Sequence, residues 1–225
     1  MTDWTYGGFA KKYDMTAEKI EIGTGCVKVH DIMDPMPEWL TGEVLFCDPP
    51  CSQANLQAFA TKANKGQLSD GAYGDFEWRL KNIIGHIDPK VVYLEVFKAN
   101  FDYWTAVLRG IYNHVFVYPS MYYNKPSNKC WIIAASDKLL WLENFECKDE
   151  SMLIEQICRG MQEKNLKSIC DPCMGMGLVG YWANYYGVRF TGTELNPHRL
   201  AYMMERINQG RLVPKKGLDQ VKNKG

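Results

Sequence analysis

A stretch near the C-terminal end of the sequence has the spacing of a nucleoside-binding unit. An apolar run ends in Asp171, and Gly175 and Gly177 follow it. A helix-like segment and a second apolar run come next, and this run ends in Glu194. Glycines directly after a strand let the backbone pass close to a ligand, and an acid ending the next strand can accept hydrogen bonds from ribose hydroxyls. The pattern predicts a nucleoside pocket, with tight packing of a helix on a strand as the structural alternative for the glycines.

A second stretch, LFCDPPCSQ, ends a short apolar run with an acid, two prolines and a cysteine. These residues are Asp48, Pro49, Pro50 and Cys51. The sequence is typical of a catalytic loop, because the fixed φ angles of consecutive prolines hold the backbone in place. The structural alternative is that Asp48 caps a turn and Cys51 packs in the interior.

The segments DPCMGMGLVG and GTELNPHRLAYMMERI resemble the S-adenosylmethionine-binding region of the beta-class DNA amino-methyltransferases. That family carries Asp-Pro-Phe-x-Gly-x-Gly and then Gly-x-Glu-x-Asn-Pro, and Cys173 here replaces the Phe. The resemblance implies that S-adenosylmethionine is the cofactor, with its methionine part held by the glycine turn and its ribose by Glu194. Asp31 would match an acid that contacts the adenine amine of the cofactor, although it could equally cap a helix. The implied cofactor-binding residues are Asp31, Asp171, Pro172, Gly175, Gly177, Glu194 and Asn196.

The same family places its catalytic loop, Asp/Asn/Ser-Pro-Pro-Tyr/Phe, where this chain has LFCDPPC. The resemblance implies that the catalytic residues are Asp48, Pro49, Pro50 and Cys51. The exocyclic amine of a base is a poor nucleophile because its lone pair is delocalised into the ring. A carboxylate and the Pro49 carbonyl, accepting its N–H bonds, would localise that pair and direct it at the methyl group. The implied reaction is direct methylation of a nucleic-acid base, adenine N6 in DNA, without a covalent enzyme intermediate.

Cys51 departs from this family, because a cysteine cannot stack on a flipped base as an aromatic ring does. One interpretation is that Tyr73, Phe76 or Trp78 supplies the ring. A second is cytosine-C5 methylation, in which a Pro-Cys thiolate adds to C6; Glu95 in PKVVYLEVFK would then be the acid. That family's Asn beside the acid and its Gln-x-Arg-x-Arg are missing here. A third interpretation is a non-catalytic partner subunit that binds the cofactor.

Apolar runs alternate with helix-period segments, which is typical of a doubly wound α/β fold with a mostly parallel sheet. The seven predicted strands are 26–30, 43–47, 91–97, 115–118, 130–135, 167–170 and 188–193. Helices are predicted around 76–87, after Asp149 or Ser151, and from Asn196 to a stop at Gly210. Residues 52–75 are predicted as a flexible loop. The resemblance implies a seven-stranded Rossmann-like methyltransferase sheet, circularly permuted because the catalytic loop precedes the cofactor loop.

The chain length of 225 residues favours a single domain, which we expect over 1–210. Its catalytic half would span about 26–136 and its cofactor-binding half about 150–210, followed by a basic flexible tail at 211–225. The predicted strands and helices occupy most of the chain. The segments left to read a DNA sequence are the loop at 52–75, the N-terminal segment and the tail. We therefore expect low sequence specificity, a homodimer, or a separate target-recognition subunit.

The charges balance, with 26 Lys plus Arg against 26 Asp plus Glu, so overall charge does not draw the protein to nucleic acid or to a membrane. DNA is the partner that the resemblance implies, ahead of RNA or a smaller substrate. The start of the sequence does not have the pattern of a signal peptide, and no apolar run approaches the ~20 residues of a membrane span. A soluble cytoplasmic protein without membrane association is expected, with its cysteines reduced. Zinc at Cys47, Cys51, Cys170 and Cys173 is the alternative to core packing of these thiols, and no metal is predicted.

Overall fold

A computed structural model describes residues 6–122, 125–138 and 150–210. Within these ranges the chain forms one eight-stranded sheet and six α-helices. The strands are β1 (Ile20–Ile22), β2 (Gly25–Val29), β3 (Val44–Cys47), β4 (Val91–Val96), β5 (His114–Met121), β6 (Lys129–Ser136), β7 (Ser168–Asp171) and β8 (Arg189–Glu194). The helices are α1 (Gln53–Lys62), α2 (Ala72–Ile87), α3 (Phe101–Arg109), α4 (Glu150–Glu163), α5 (Leu178–Tyr185) and α6 (Pro197–Gln209), and a 3-10 helix spans Tyr6–Lys12.

The strands lie in the order β1-β2-β8-β7-β3-β4-β6-β5. The pairs from β2 to β4 are parallel, whereas β1 and β6 run antiparallel to their neighbours. This is the mostly parallel α/β sheet that the sequence predicts, and all seven predicted strands are present. The predicted strand number was one too low, because β1 also joins the sheet. Three residues at a sheet edge are too few to give a periodic apolar pattern.

The order places β3 and β7 side by side in the sheet, although they lie far apart in the sequence. From β7 the chain continues to β8 on one side, and from β3 it continues to β4 on the other. A parallel sheet whose connections leave in opposite directions has a crevice at the carboxyl ends of the two central strands, where ligands bind. The predicted catalytic turn follows β3 and the predicted glycine turn follows β7. The topology therefore brings the two turns to the same crevice.

The sheet separates two apolar cores. One core contains buried side chains of α4, α5 and α6, and the other contains buried side chains of α2 and α3. The three- and four-residue spacing in α4 predicts one apolar face, and this face is fully buried. Its residues are Leu153, Ile154, Ile157, Cys158 and Met161. Burial from both sides explains why β4 is apolar except for Glu95, and every residue of this strand is buried.

The prediction of a flexible loop over 52–75 was wrong in its first part, because α1 occupies Gln53–Lys62. Ser52 caps this helix: its hydroxyl oxygen accepts a hydrogen bond from the amide of Asn55 at 3.3 Å. Ala60 is the only residue of α1 that is fully buried, so the helix has no apolar stripe that a sequence pattern could indicate. Residues 63–71 connect α1 to α2.

The predicted ends of α6 are confirmed. Asn196 is the N-cap, and its side-chain oxygen accepts a hydrogen bond from the amide of His198 at 2.9 Å. Pro197 opens the first turn, and Gly210 ends the helix in the left-handed region with φ 61°. The position of α6 matters because its first turn follows directly on Glu194 and the crevice.

None of the helices that the structure describes has the length and apolar character needed to cross a membrane. Three features of the sequence lie outside the described residues: the predicted basic tail at 211–225, the possible helix cap at Asp149, and Cys147. The division of the chain into a catalytic half and a cofactor-binding half stays a prediction.

Candidate functional site

A cavity of about 670 Å³ lies at the carboxyl ends of β2, β3, β7 and β8. This volume lies within the usual range of small-molecule and cofactor sites. All four predicted catalytic residues line the cavity, and so do six of the seven predicted cofactor-binding residues. These are Asp31, Asp48, Pro49, Pro50, Cys51, Asp171, Pro172, Gly175, Gly177 and Glu194. Asn196 is the exception, because it lies behind Glu194 as the cap of α6.

The turn between β7 and α5 requires glycine at two positions. Gly175 and Gly177 have φ of 57° and 72°, in the left-handed region that other residues rarely adopt. A Cβ at Gly177 would lie 1.7 Å from Cγ of Met203 on α6, so this glycine permits close packing of the turn on the helix. A Cβ at Gly175 would lie 2.7 Å from Nη2 of Arg199, at the cavity. Gly177 therefore permits helix packing in addition to lining the cavity, and Gly175 borders the space available to a ligand.

Glu194 fixes this turn through backbone hydrogen bonds. Its Oε2 accepts from the amide of Gly175 at 2.7 Å, and its Oε1 accepts from the amide of Asn196 at 2.9 Å. Each carboxylate oxygen can accept a further hydrogen bond. The Asn196 amide group donates in turn to the carbonyl of Lys62 at 3.1 Å, which ties α6 to the end of α1. Asn196 is thus a positioning residue for Glu194.

Asp171 ends β7 beneath the glycine turn and is almost completely buried. Its Oδ1 accepts a hydrogen bond from the amide of Cys173 at 2.9 Å. Burial raises the pKa of Asp171 well above its usual range, and this hydrogen bond acts in the opposite direction. A buried acid of this kind favours a cationic ligand, because a positive charge would offset the cost of burying the carboxylate.

Asp48 directly follows β3 and lines the same cavity as Glu194. Pro49 and Pro50 behind it are buried, whereas Asp48 itself remains partly exposed. Burial raises the pKa of Asp48 to about 7, and the charge of Arg199 acts in the opposite direction. The carboxyl group can therefore change its protonation state near neutral pH.

Arg199 is a cavity residue that sequence reasoning missed. It lies in the first turn of α6, and its Nη1 is 3.7 Å from Oε1 of Glu194. Its guanidinium carbon is 4.9 Å from the ring centroid of Phe59 on α1, close enough for a cation–π contact. The available signal was its position five residues after a strand-ending acid, where a long side chain of the first helical turn can reach back over that acid.

Asp31 lies at the rim of the cavity, after β2. Its Oδ1 accepts from the amide of Met33 at 3.1 Å, and its Oδ2 forms an ion pair with Lys65 at 3.2 Å. Arg79 of α2 holds the same loop by donating to the carbonyl of Ile32 at 3.0 Å. The structure thus places Asp31 beside the cavity, in a turn rather than at a helix cap.

Cys51 is half-buried at the cavity wall, and its amide donates to Oδ1 of Asn55 at 3.1 Å. Burial is the largest of the causes that raise the pKa of Cys51, so the protonated thiol is favoured at neutral pH. Glu95 is fully buried in β4. It is not one of the described residues that line the cavity. It lies near Cys130, whose pKa is raised first by burial and then by the Glu95 carboxylate.

The three aromatic residues proposed to replace a ring at Cys51 all lie on α2 rather than on a flexible loop. Phe76 is buried and lines the cavity, whereas Trp78 is 63% exposed and is not among the lining residues that the structure describes. The Tyr73 hydroxyl accepts a hydrogen bond from Asn100 at 3.1 Å. Only Phe76 of the three therefore contributes to the cavity wall.

Two further aromatic rings reach the cavity from strand ends and were not predicted. Phe97 follows β4 and Tyr122 follows β5, and both line the cavity. Their ring centroids are 5.3 Å apart with planes at 76°, an edge-to-face contact. Phe59 and Phe76 also line the cavity, which brings the aromatic rings in its lining to four among the described residues.

The described residues contain no group of three or more His, Cys, Asp or Glu side chains arranged to hold a metal ion. Cys47 and Cys170 are fully buried in their strands. The Cys47 thiol instead contacts that of Cys173 beneath the two turns.

No protein-family model matches the sequence, and no curated protein matches it. Among solved structures, the chain is similar to the cytosine-N4-specific PvuII DNA methyltransferase, with a TM-score of 0.58 and 10% identity over 90% of this chain and 92% of that chain. It is also similar to TTHA0409 from Thermus thermophilus, a proposed DNA modification methylase, with a TM-score of 0.54 and 15% identity over 84% and 95%. The complex of TTHA0409 with S-adenosyl-L-methionine gives a TM-score of 0.54 and 13% identity over 82% and 93%. At these identities the similarity establishes a shared fold.

Proposed function

We propose that this protein is an S-adenosylmethionine-dependent methyltransferase that acts on the exocyclic amine of a nucleic-acid base, adenine N6 in DNA. One observation carries the proposal: the Asp48 turn and the Glu194 acid open into the same cavity. The shared fold adds support, since the PvuII enzyme is a DNA methyltransferase and TTHA0409 was solved with S-adenosyl-L-methionine.

The groups of the cavity fit the methyl donor in three respects. The Glu194 oxygens have acceptor capacity left for ribose hydroxyls after their two backbone hydrogen bonds. The buried Asp171 offers its carboxyl group to the ammonium group of the methionine part, whose positive charge would favour the ionised form of this acid. The volume of about 670 Å³ is sufficient for a nucleoside with an amino-acid side chain and for a base beside it.

The chemistry assigned to this chain is to activate the amine. The Asp48 carboxylate and the Pro49 carbonyl would accept its two N–H bonds, which concentrates the lone pair on nitrogen. Bound S-adenosylmethionine would supply a methyl carbon on a sulfonium sulfur, so that the N–C bond would form as the C–S bond breaks and its electron pair passes to sulfur. The Asp48 carboxylate would then accept one proton from the nitrogen, and a carboxyl group with a pKa of about 7 is suited to release that proton to water.

The target base would lie against aromatic rings of the cavity. Phe97 and Tyr122 meet edge to face in the lining of the cavity that also contains Asp48, so one ring face can stack on a base while the other ring holds it in position. This arrangement removes the need for an aromatic residue at Cys51. The same amine chemistry would serve cytosine N4, which is the target named for the PvuII enzyme.

Two observations disfavour cytosine-C5 methylation. The raised pKa of Cys51 disfavours the thiolate that this reaction requires. Glu95, the acid of that mechanism, is fully buried in β4. The homodimer and the separate target-recognition subunit remain proposals for how a DNA sequence would be read.

The test is to incubate the purified protein with DNA and methyl-deuterated S-adenosylmethionine, digest the DNA to nucleosides and analyse them by mass spectrometry. We expect labelled N6-methyladenine, and its loss in an Asp48→Ala variant. Labelled N4-methylcytosine would support the amine mechanism but show that cytosine, and not adenine, is the target base. Labelled 5-methylcytosine, or no label in either DNA or RNA, would contradict the proposal.

A further inference from the structure

The Arg199 guanidinium makes no hydrogen bond to the part of the chain that the structure describes. Its nearest carboxylate oxygen, Oε1 of Glu194, is 3.7 Å away, beyond hydrogen-bond distance. The Arg199 side chain is only 18% exposed, and it lines the cavity. Guanidinium has five N–H donors, and enclosed polar groups in folded proteins nearly always have partners. The donors of Arg199 are therefore available to a ligand in the cavity.

The position of Arg199 indicates which part of a ligand it would meet. Its Nη1 lies beside Glu194, and its Nη2 lies over Gly175 of the glycine turn. Its charge also acts to lower the pKa of Asp48, another residue of the cavity wall. Arg199 thus lies beside the acid assigned to the ribose, within electrostatic range of the acid assigned to the amine, and its side chain is largely enclosed.

We propose that Arg199 binds the carboxylate of the methionine part of the methyl donor, and this inference depends on the proposed function. The carboxylate is the one anionic group of that ligand. Planar guanidinium can bind it through two parallel hydrogen bonds, the geometry in which arginine is strongest. Asp171 would then bind the ammonium group and Arg199 the carboxylate, so that each charge of the amino-acid end has a partner in the cavity wall.

Surrounding acids favour a cation beside the carboxylate. Asp48, Asp171 and Glu194 line the cavity together with Lys65, Arg199 and Arg206, and of these cations Arg199 is the one that lies against both Glu194 and the glycine turn. The Phe59 ring behind the guanidinium, 4.9 Å from its carbon, orients the group without using its N–H donors. Arg199 is therefore held in place by packing while its hydrogen-bonding capacity stays directed to the ligand.

The test compares two ligands that differ only in the carboxylate: S-adenosylhomocysteine and its decarboxylated analogue, 5′-S-(3-aminopropyl)-5′-thioadenosine. Their dissociation constants would be measured by titration calorimetry on the wild-type protein and on Arg199→Gln. We expect the wild type to prefer S-adenosylhomocysteine by about 10- to 100-fold, as for a charge-assisted pair of hydrogen bonds. We expect Arg199→Gln to lose this preference. It should bind both ligands about as weakly as the wild type binds the decarboxylated analogue.

Two further variants keep the test decisive. Arg199→Lys retains the charge but not the paired donors, so its preference should fall between those of the wild type and Arg199→Gln; it also replaces Arg199→Gln if that variant fails to fold. Lys65→Gln removes a rim cation that pairs with Asp31 and should retain the full preference.

The outcomes separate the two proposals. If S-adenosylhomocysteine binds but the wild type shows no preference, or if Arg199→Gln keeps the preference, the role of Arg199 is wrong and the proposed function stands. If Arg199→Gln weakens both ligands by the same factor, Arg199 is structural and the inference is also wrong. If the wild type binds neither ligand, the methyl-donor cavity itself is contradicted.

Discussion

The carboxylate of Glu194 and the amide of Gly175 are joined by a 2.7 Å hydrogen bond, which ties the end of β8 to the turn after β7. The other oxygen of Glu194 accepts from the amide of Asn196 at the start of α6. One buried side chain thus positions two backbone segments around the cavity. Because the donors are backbone groups, the arrangement depends on the acceptor capacity of Glu194 rather than on any neighbouring side chain.

Replacement of Glu194 by Gln should weaken binding of S-adenosylhomocysteine at least tenfold. An amide side chain has one acceptor oxygen, so its NH₂ group would face a backbone N–H, and a buried donor without a partner costs about 1–3 kcal/mol. Titration calorimetry measures the loss. Glu205→Gln is the matched control, since Glu205 is also buried on α6 but bonds to Tyr13 and Lys12. Equal affinity in Glu194→Gln and wild type would contradict the assigned role.

Gly177→Ala should destabilise the protein more than Gly187→Ala does. Both glycines have positive φ, at 72° and 67°, so both substitutions incur backbone strain of about 1–2 kcal/mol. At Gly177 the new Cβ would also overlap Met203, and this overpacking should lower the free energy of unfolding by a further ~1–3 kcal/mol. At Gly187 nothing lies within 4 Å of the new Cβ. Urea unfolding of the two variants gives the difference. Similar stabilities would mean that α6 does not pack on this turn as described.

The rate of methyl transfer should depend on the protonation of Asp48. Burial raises the pKa of Asp48 to about 7, and the ionised form is the better acceptor of amine N–H bonds. We therefore expect kcat/KM to reach a plateau above pH 7 and to fall about tenfold for each pH unit below it. Asp48→Asn keeps an acceptor oxygen but cannot titrate, so its lower activity should lack this step. A step that persists in Asp48→Asn would assign the titration to another group.

Cys51→Ala should retain methyl transfer within about tenfold of the wild type. The thiol is half-buried and its pKa is raised, and the amine mechanism requires only the small side chain that packs at this position. The measurement is tritium transfer from labelled S-adenosylmethionine to DNA. Complete loss of transfer in a folded Cys51→Ala variant, together with a covalent adduct of the wild type on 5-fluorocytosine DNA, would establish the thiol as the nucleophile.

The sequence was most informative where one residue type has one physical role. Apolar runs indicated all seven long strands, and Asn196, Pro197 and Gly210 fixed the ends of α6. Strand-ending acids predicted the cavity, because the carboxyl ends of parallel strands meet at one edge of the sheet. What these signals share is that each depends on a few neighbouring residues.

The rest depended on strand order, which local patterns do not encode. Phe97 and Tyr122 meet because the ends of β4 and β5 lie on the same side of the sheet, with β6 between them. In the sequence, nothing distinguishes Arg199 from the other basic residues. Its role becomes visible only when the fold places the first turn of α6 over Glu194. The helix α1 was missed for a different reason, since it buries too few apolar residues to show a periodic stripe.

We propose that Glu194 and Asp48 bound one methyl-donor cavity, with separate roles in binding and in chemistry. Titration of S-adenosylmethionine into the wild type, Glu194→Ala and Asp48→Ala, with methyl transfer to DNA measured on the same samples, tests both roles together. We expect one-to-one binding and transfer by the wild type, loss of binding in Glu194→Ala, and binding without transfer in Asp48→Ala. Failure of the wild type to bind S-adenosylmethionine, or full transfer by Asp48→Ala, would overturn this assignment.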